Sequence, residues 1–440
     1  MNNYHTDDIP RTRPVRRLHN LARELAWHVL VELERSTYCT HLDDMIHRAC
    51  DDHNLPPRDH ALAYELVSGC VRNKTLLEFY INQCSIRSAA TLDTGLRWIL
   101  VLALYQIEFL DRVAAYAAVN ETVEICRHAG REEWVGYANG VLRTFLRQRE
   151  LRGIREPEDA ATRWSHPAWL TELYSHVFGA EHLESILTWN NRVPSHYARV
   201  RGERDEIIAA LPPGSVELQP EYGSDVVRVR DTPRVLRSAA FRNGALYVMQ
   251  PWSVYVARQL GVKRGWRVLD MCAAPGGKSI ILADDGAAKV IAIDQAAHRV
   301  RALNDNLRRC QVTTVESRVL DGHDVVEAFG ARMFDAVLLD APCSNLGVIQ
   351  RHPEIRWRVG QDEPVRLAAQ QAGLLRAALQ AVKPGGPVLY SVCTISPQET
   401  TDVIAKMPPG ICERHELTRP GARGFDGGFW ALLRSGRCSG

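Results

Sequence analysis

Cys343 and Cys393 stand in LLDAPCS and VLYSVCT, each just after a short apolar run that reads as a core strand. A thiolate is a strong nucleophile near neutral pH and adds to electron-poor ring carbons. A lone cysteine is more often a small buried hydrophobe. Two at adjacent strand ends, one preceded by Asp340-Ala341-Pro342, point instead to covalent chemistry on a substrate. The other nine of the eleven cysteines read as structural.

Upstream, a strand runs into the turn Cys272, Ala273, Ala274, Pro275, Gly276, Gly277, Lys278 and then into a helix. The paired glycines let backbone approach a ligand closely. Asp294, Asp321 and Asp340 each close a predicted strand, and a carboxylate at such a place hydrogen-bonds ribose hydroxyls in doubly wound sheets. Two ligands compete for this turn. A P-loop needs GxxxxGK[ST]; Gly277-Lys278-Ser279 fits, but Cys272 stands where the leading glycine belongs. S-adenosylmethionine, held by carboxylates at successive strand ends, suits the three acids better. After Cys343, the stretch SNLGVIQRHPEIRWR sets Arg351, His352, Arg356, Trp357 and Arg358 near the same edge, cations interleaved with an aromatic that suit phosphate neutralisation and base stacking.

These side chains need a sheet to carry them. From about residue 246, short apolar runs alternate with helical stretches: strands at 267–272, 290–294, 317–321, 335–340 and 387–392, helices at 295–309 and 364–382. Strands apolar on both faces predict a parallel, doubly wound α/β sheet over 246–440. Residues 15–150 predict an all-α domain. Leu18, Leu21, Leu25, Val29 and Leu33 share one helical face, and further helices are expected at 58–72, 92–110, 114–128 and 133–149. Between the two, 151–245 reads as a linker and a small α+β connector, with a helix near 168–189 and strands at HYARVRG and VVRVRD. Residues 1–14 read as a basic tail.

The bulk numbers narrow the class. At 440 residues, 45% apolar and 24% charged, the chain is long enough for two or three separate cores. The net charge is only +2, and the first 150 residues carry 18 Lys+Arg against 20 Asp+Glu, so nucleic-acid binding rests on local patches. An odd cysteine count without a CxxC pair speaks for a reducing, cytoplasmic setting and against a disulfide framework or zinc ribbon. No metal is expected. The most apolar stretch, 98–110, is too short for a bilayer and contains Gln106 and Glu108.

These motifs resemble the bacterial Sun/Fmu-type 16S rRNA cytosine-C5 methyltransferases, the RsmB family. RDHALAYELVSGCVR, AAYAAVNETVEIC and YANGVLRTFLR are similar to its NusB-like helical domain; SHPAWL and NNRVPSHYARV to its connector; CAAPGGKS, DAPCSNLGVIQRHPEIRW and VLYSVCTISPQE to its catalytic motifs; DGGFWALLR to its last strand. The resemblance implies a Rossmann-like methyltransferase domain that binds S-adenosylmethionine through the 272–278 turn, Asp294, Asp321 and Asp340. Cys393 would add to C6 of the target cytosine, and Cys343 would assist loss of the C5 proton and release. Asp340, with Lys278 close by, would hydrogen-bond the N3 edge. The partner implied is small-subunit rRNA, met by a monomer with no membrane involvement; a tRNA target, or an inactive RNA-binding assembly factor, are the rival readings. This chain departs from the family at MQPWS, at YARVRG and at Val392, where threonine is common before the nucleophile.

Overall fold

A computed structural model describes residues 21–36 and 41–436, which divide into two compact units, 1–165 and 166–440. The basic tail and Leu18 lie outside the described residues.

The described residues of the first unit form helices and no strand, the main ones being α1 Leu21–Arg35, α2 Leu42–Asp52, α3 Pro57–Arg72, α4 Lys74–Cys84, α5 Thr94–Phe109, α6 Ala115–His128 and α7 Glu132–Glu150. The all-round apolar α5 is the central helix, buried from Gly95 to Ile107 and packed by α1, α3, α4, α6 and α7. Its Gln106 side chain is satisfied internally, Nε2 donating to Leu102 O at 3.0 Å. Helices α2 and α4 were not expected. The buried stripe of α2 is only Leu42, Met45, Ile46 and Cys50 amid charges, and α4 is separated from α3 by Asn73 alone.

Residues 151–165 belong to this unit rather than to the connector expected from 151. Gln83 and Arg155 exchange hydrogen bonds at 2.9 and 3.0 Å, Tyr80 donates to Glu156, and Thr75 N donates to Ser165 Oγ at 2.8 Å. The segment is strapped along α4 by its polar groups, which a reading of apolar periodicity does not register.

The second unit holds two sheets. In the smaller, β1 (His196–Val200), β2 (Val216–Leu218), β3 (Val226–Val229) and β4 (Leu246–Val248) pair antiparallel in the order β2-β3-β1-β4. The single helix expected near 168–189 is two, Ala168–Phe178 and Leu183–Asn191, broken at Gly179 with φ 91°.

The larger sheet contains β5 (Arg267–Met271), β6 (Lys289–Asp294), β7 (Val315–Val319), β8 (Ala336–Asp340), β9 (Pro387–Val392), β10 (Cys412–Thr418) and β11 (Gly428–Arg434), ordered β10-β11-β9-β8-β5-β6-β7. Strands β5 to β9 are mutually parallel; β11 runs antiparallel between β9 and β10. The sheet is therefore mixed rather than wholly parallel. Alternate residues feed two cores, Leu269, Ile291, Val337 and Tyr390 on one face and Val268, Val290, Leu338 and Leu389 on the other. Both faces are covered, which explains the near-continuous apolar runs. Among the described residues, no helix is long and apolar enough to cross a membrane.

Candidate active site

Strand β5 ends at Met271, and the chain then turns sharply. Cys272 takes φ 60° and Gly276 φ 105° before the helix Gly277–Asp284 begins. A Cβ on Gly276 would lie 2.4 Å from Leu303 Cδ1 in a left-handed backbone conformation, so the turn demands glycine there. Its outer rim is pinned by side chains: Asn306 Nδ2 donates to Pro275 O at 3.0 Å and Arg299 Nη2 to Ala274 O at 3.1 Å. Ala273 N donates to Ile293 O at 2.8 Å, tying the turn to β6.

The three acids surround this turn unequally. Asp294 closes β6 and is buried; Oδ1 accepts from Ala296 N, while Oδ2 has no hydrogen-bond partner and sees Arg299 Nη1 at 3.4 Å. Asp340 closes β8, its Oδ2 2.6 Å from Lys278 Nζ and its Oδ1 accepting from Ser391 at 3.0 Å. Asp321 does not close a strand. It lies beyond the end of β7, caps the turn Gly322–Asp324, and accepts from His323 N at 2.9 Å, which holds its carboxyl below the usual range. A buried carboxylate oxygen that lacks a hydrogen-bond partner, beside a glycine cradle, is an acceptor that the ribose hydroxyls of an adenosyl cofactor would fit.

A fourth acid was missed. Asp270, inside β5, is fully buried and pushed up to about 7, first by burial, while Ser279 Oγ donates to it at 2.5 Å. It clamps the strand to the helix that leaves the turn.

Cys393 directly follows β9 and Cys343 lies three residues beyond β8, so the pairing of these strands brings both to one sheet edge. Both are partly exposed although Ser344, Val392 and Thr394 beside them are buried. Burial and the Asp340 carboxylate push the Cys393 thiol up to about 12, against the opposing pull of Lys278. The Cys343 thiol is raised by burial, then by Cys393 and Glu399, and donates to Asn345 Oδ1 at 3.4 Å. Lys278 is held firmly as an ammonium: burial lowers its affinity for a proton, and Asp340 and Cys393 more than offset this. The site at rest is thus two neutral thiols beside an ion pair. Cys272, also pushed up to about 12 by burial and then Asp294, stays a thiol of the turn.

Residues 257–417 match the family described as 16S rRNA methyltransferase RsmB/F, and residues 20–147 match the NusB family. The ribosomal RNA small subunit methyltransferase B of Cronobacter sakazakii is 33% identical over 399 residues, covering 87% of this chain and 92% of that protein. The chain belongs to the 16S rRNA methyltransferase RsmB/F family. Its fold is shared with the crystal structure of PH0851 (TM-score 0.76, 22% identity, 94% of this chain and 98% of that one). It is also shared with NSun6 from Pyrococcus horikoshii, solved with SFG (TM-score 0.55, 21% identity, 61% and 98%).

In this RsmB/F-family chain the 351–358 stretch is not a basic loop displayed to solvent. Arg356 is fully buried, its guanidinium donating to Asn191 Oδ1 at 2.8 Å and Asn190 O at 3.2 Å. It is a strut to the connector and is withdrawn from the RNA-facing set. Arg351 is largely committed too, donating from Nε to Asp426 Oδ2 at 2.7 Å and from Nη1 to Ser195 O at 3.0 Å. His352 lies near Glu354, with 3.8 Å between Nδ1 and Oε1, and His352, Trp357 and Arg358 are all half-buried.

Sequence reasoning also missed what lies beneath the thiols. Ser344, Gln371, Tyr390, Thr394 and Glu399 form one buried polar cluster. The only signal for it is a glutamate six positions after Cys393 in VCTISPQE.

Proposed function

We propose that this chain methylates C5 of a cytosine in 16S rRNA, with Cys393 as the covalent nucleophile and S-adenosylmethionine as methyl donor. The observation that carries the reading is the meeting of two thiols with the Lys278–Asp340 pair at the end of β8 and β9, beside the glycine turn.

Cytosine C5 is a poor nucleophile until C6 is attacked. The base must first leave any stack to reach the site. Sulfur of Cys393 then bonds to C6, and the proton of its thiol passes to the N3 side of the ring, relayed by Asp340. Lys278 fixes the Asp340 carboxylate for this work through its 2.6 Å contact. The adduct makes C5 an enamine carbon. When bound, S-adenosylmethionine supplies an electrophilic methyl group for that carbon. Release needs the C5 proton removed and the C6–S bond broken; the N3 proton passes back through Asp340 to the departing sulfur, which restores the Cys393 thiol and the aromatic ring. Cys343 is suited to take that proton at this stage. To act as that base Cys343 first gives up its own thiol proton to solvent, to which it is partly exposed; burial, the main cause of its raised proton affinity, then makes the thiolate a strong base.

For the cofactor, the turn Cys272–Lys278 would receive the adenosyl moiety, with Asp294 Oδ2 free to accept from ribose and Asp321 at the outer end. NSun6 was solved with SFG, which supports an adenosyl ligand in this fold. The RNA partner follows from the names of the relatives; Arg351, His352, Trp357 and Arg358 remain candidates to meet it, and the NusB-like unit would add further contacts.

The test is incubation of unmodified small-subunit rRNA with methyl-labelled S-adenosylmethionine, followed by nucleoside analysis. Labelled 5-methylcytidine is expected. Label in any other nucleoside, or label only on tRNA, would overturn the reading.

A further inference from the structure

The loops that carry the two thiols are tied to a single carboxylate. Ser344, directly after Cys343, donates twice to Glu399: its N–H reaches Oε1 at 2.9 Å and its hydroxyl bonds Oε2. Thr394, directly after Cys393, donates to Glu399 Oε2 at 3.1 Å and lies 2.8 Å from Ser344 Oγ. Gln371 closes the other side, its Nε2 donating at 2.9 Å both to Glu399 Oε1 and to Pro342 O, the residue before Cys343. Tyr390, on β9, donates to Glu399 O at 2.7 Å. Glu399, Gln371, Tyr390 and Thr394 are fully buried.

An ionised carboxylate is acceptor-only, and here four donors converge on its two oxygens. Burial pushes the Glu399 carboxyl up while these hydrogen bonds pull it back. Among the described residues no cation pairs with Glu399, so hydrogen bonds from the two thiol loops and Gln371 are what compensate its burial. The arrangement is therefore reciprocal: the loops satisfy the carboxylate, and the carboxylate sets their separation.

We propose that Glu399 is a positioning residue that fixes Cys343 and Cys393 relative to each other, acting through Ser344 and Thr394 and touching neither substrate nor cofactor. The proposal rests on the covalent reading above for its catalytic consequence, but not for its structural one.

The test uses the full chain and Glu399→Gln, which keeps the shape but turns one acceptor into a donor facing Ser344 or Gln371. Affinity for S-adenosylmethionine, by calorimetry, should stay within about twofold, and KM for rRNA within about threefold, while kcat falls at least tenfold, on the scale set by misplaced reacting groups. In protein without RNA, alkylation of Cys343 followed by mass spectrometry should accelerate at least fivefold, with Cys310 unchanged. Ser344→Ala added to Glu399→Gln should cost little more, because both remove the same link. Unchanged kcat and unchanged Cys343 alkylation would overturn the proposal. So would equal acceleration at Cys310, which marks general loosening. If Glu399→Gln does not fold, Ser344→Ala alone must show the same split between kcat and KM. Altered alkylation in a protein that makes no 5-methylcytidine would sustain the clamp and sink the covalent reading instead.

Discussion

Lys278 Nζ and Asp340 Oδ2 stand 2.6 Å apart, joining the first residues of the helix after the glycine turn to the last residue of β8. This ion pair links the glycine turn to the strand that leads to Cys343. Asp340 holds a second partner, Ser391 on β9, so one carboxylate spans both thiol-bearing strands.

Replacing Asp340 with asparagine leaves the Lys278 ammonium without its counter-charge. Methyl transfer should fall by more than about 100-fold, the scale for loss of a positioned proton-transfer group. Stability should fall by about 1–3 kcal/mol, less than for a wholly buried pair because 27% of the Asp340 side chain is exposed. Urea denaturation beside a labelled-methyl assay measures both; activity near that of the parent protein would remove Asp340 from the chemistry.

The raised Cys393 thiol makes a pH prediction for the protein without RNA. A thiol pushed up to about 12 is a minor thiolate at neutral pH, so alkylation at Cys393 should rise about tenfold per pH unit. The rise should continue past pH ~9, where a thiol with the ordinary pKa of about 8.5 levels off. Peptide mapping after brief iodoacetamide exposure reads this directly. A plateau near pH 8 would mean that Lys278 outweighs burial and Asp340.

The two thiols should fail in different ways. Cys393→Ala should abolish methylation and any RNA–protein adduct while leaving cofactor affinity nearly unchanged. Cys343→Ala should trap an adduct that survives denaturing electrophoresis. Normal turnover by Cys343→Ala without adduct would show that release runs through another base.

Asp270 predicts a pH-dependent stability. Its folded value of about 7 lies above the unfolded carboxyl value of about 3.9, so the native state binds the extra proton between them. That contribution is fully present below about pH 4, declines as pH rises, and is gone above about 7. Asp270→Asn, which keeps an acceptor for Ser279, should therefore gain roughly 1–3 kcal/mol at pH 8, with most of the gain absent at pH 4.5. Equal effects at both pH values, by chemical denaturation, would show that Asp270 is ionised in the fold.

The strands that position the candidate site were legible because a strand covered on both faces has little choice but a continuous apolar run, as in Ala336–Asp340 and Pro387–Val392. Strand β10, CERHELT, was not. It is an edge strand paired on one side with β11, and its mostly exposed charges carry no apolar signal. The Asp321 position was read two residues too far into β7, because Leu320 extends the apolar pattern after the ladder ends at Val319. Arg356 was misread for a deeper reason: composition marks an arginine as a surface cation, and only tertiary structure reveals that backbone and amide acceptors of the connector enclose it. Glu399 was unreadable in the same way, since its donors come from residues 344, 371 and 394.

The enclosure of Arg356 bears on how such a chain can be cut and recombined. Tyr174 donates to Leu346 O at 3.0 Å, Gln350 to Trp189 O at 3.2 Å and Arg351 to Ser195 O, so the loop after Cys343 is built jointly by the connector and the sheet. Residues 166–248 and 249–436 belong to one compact unit. A fusion or deletion breakpoint at residue 246, where the strand pattern changes, would split that unit, whereas one at Ser165 would leave each compact unit entire.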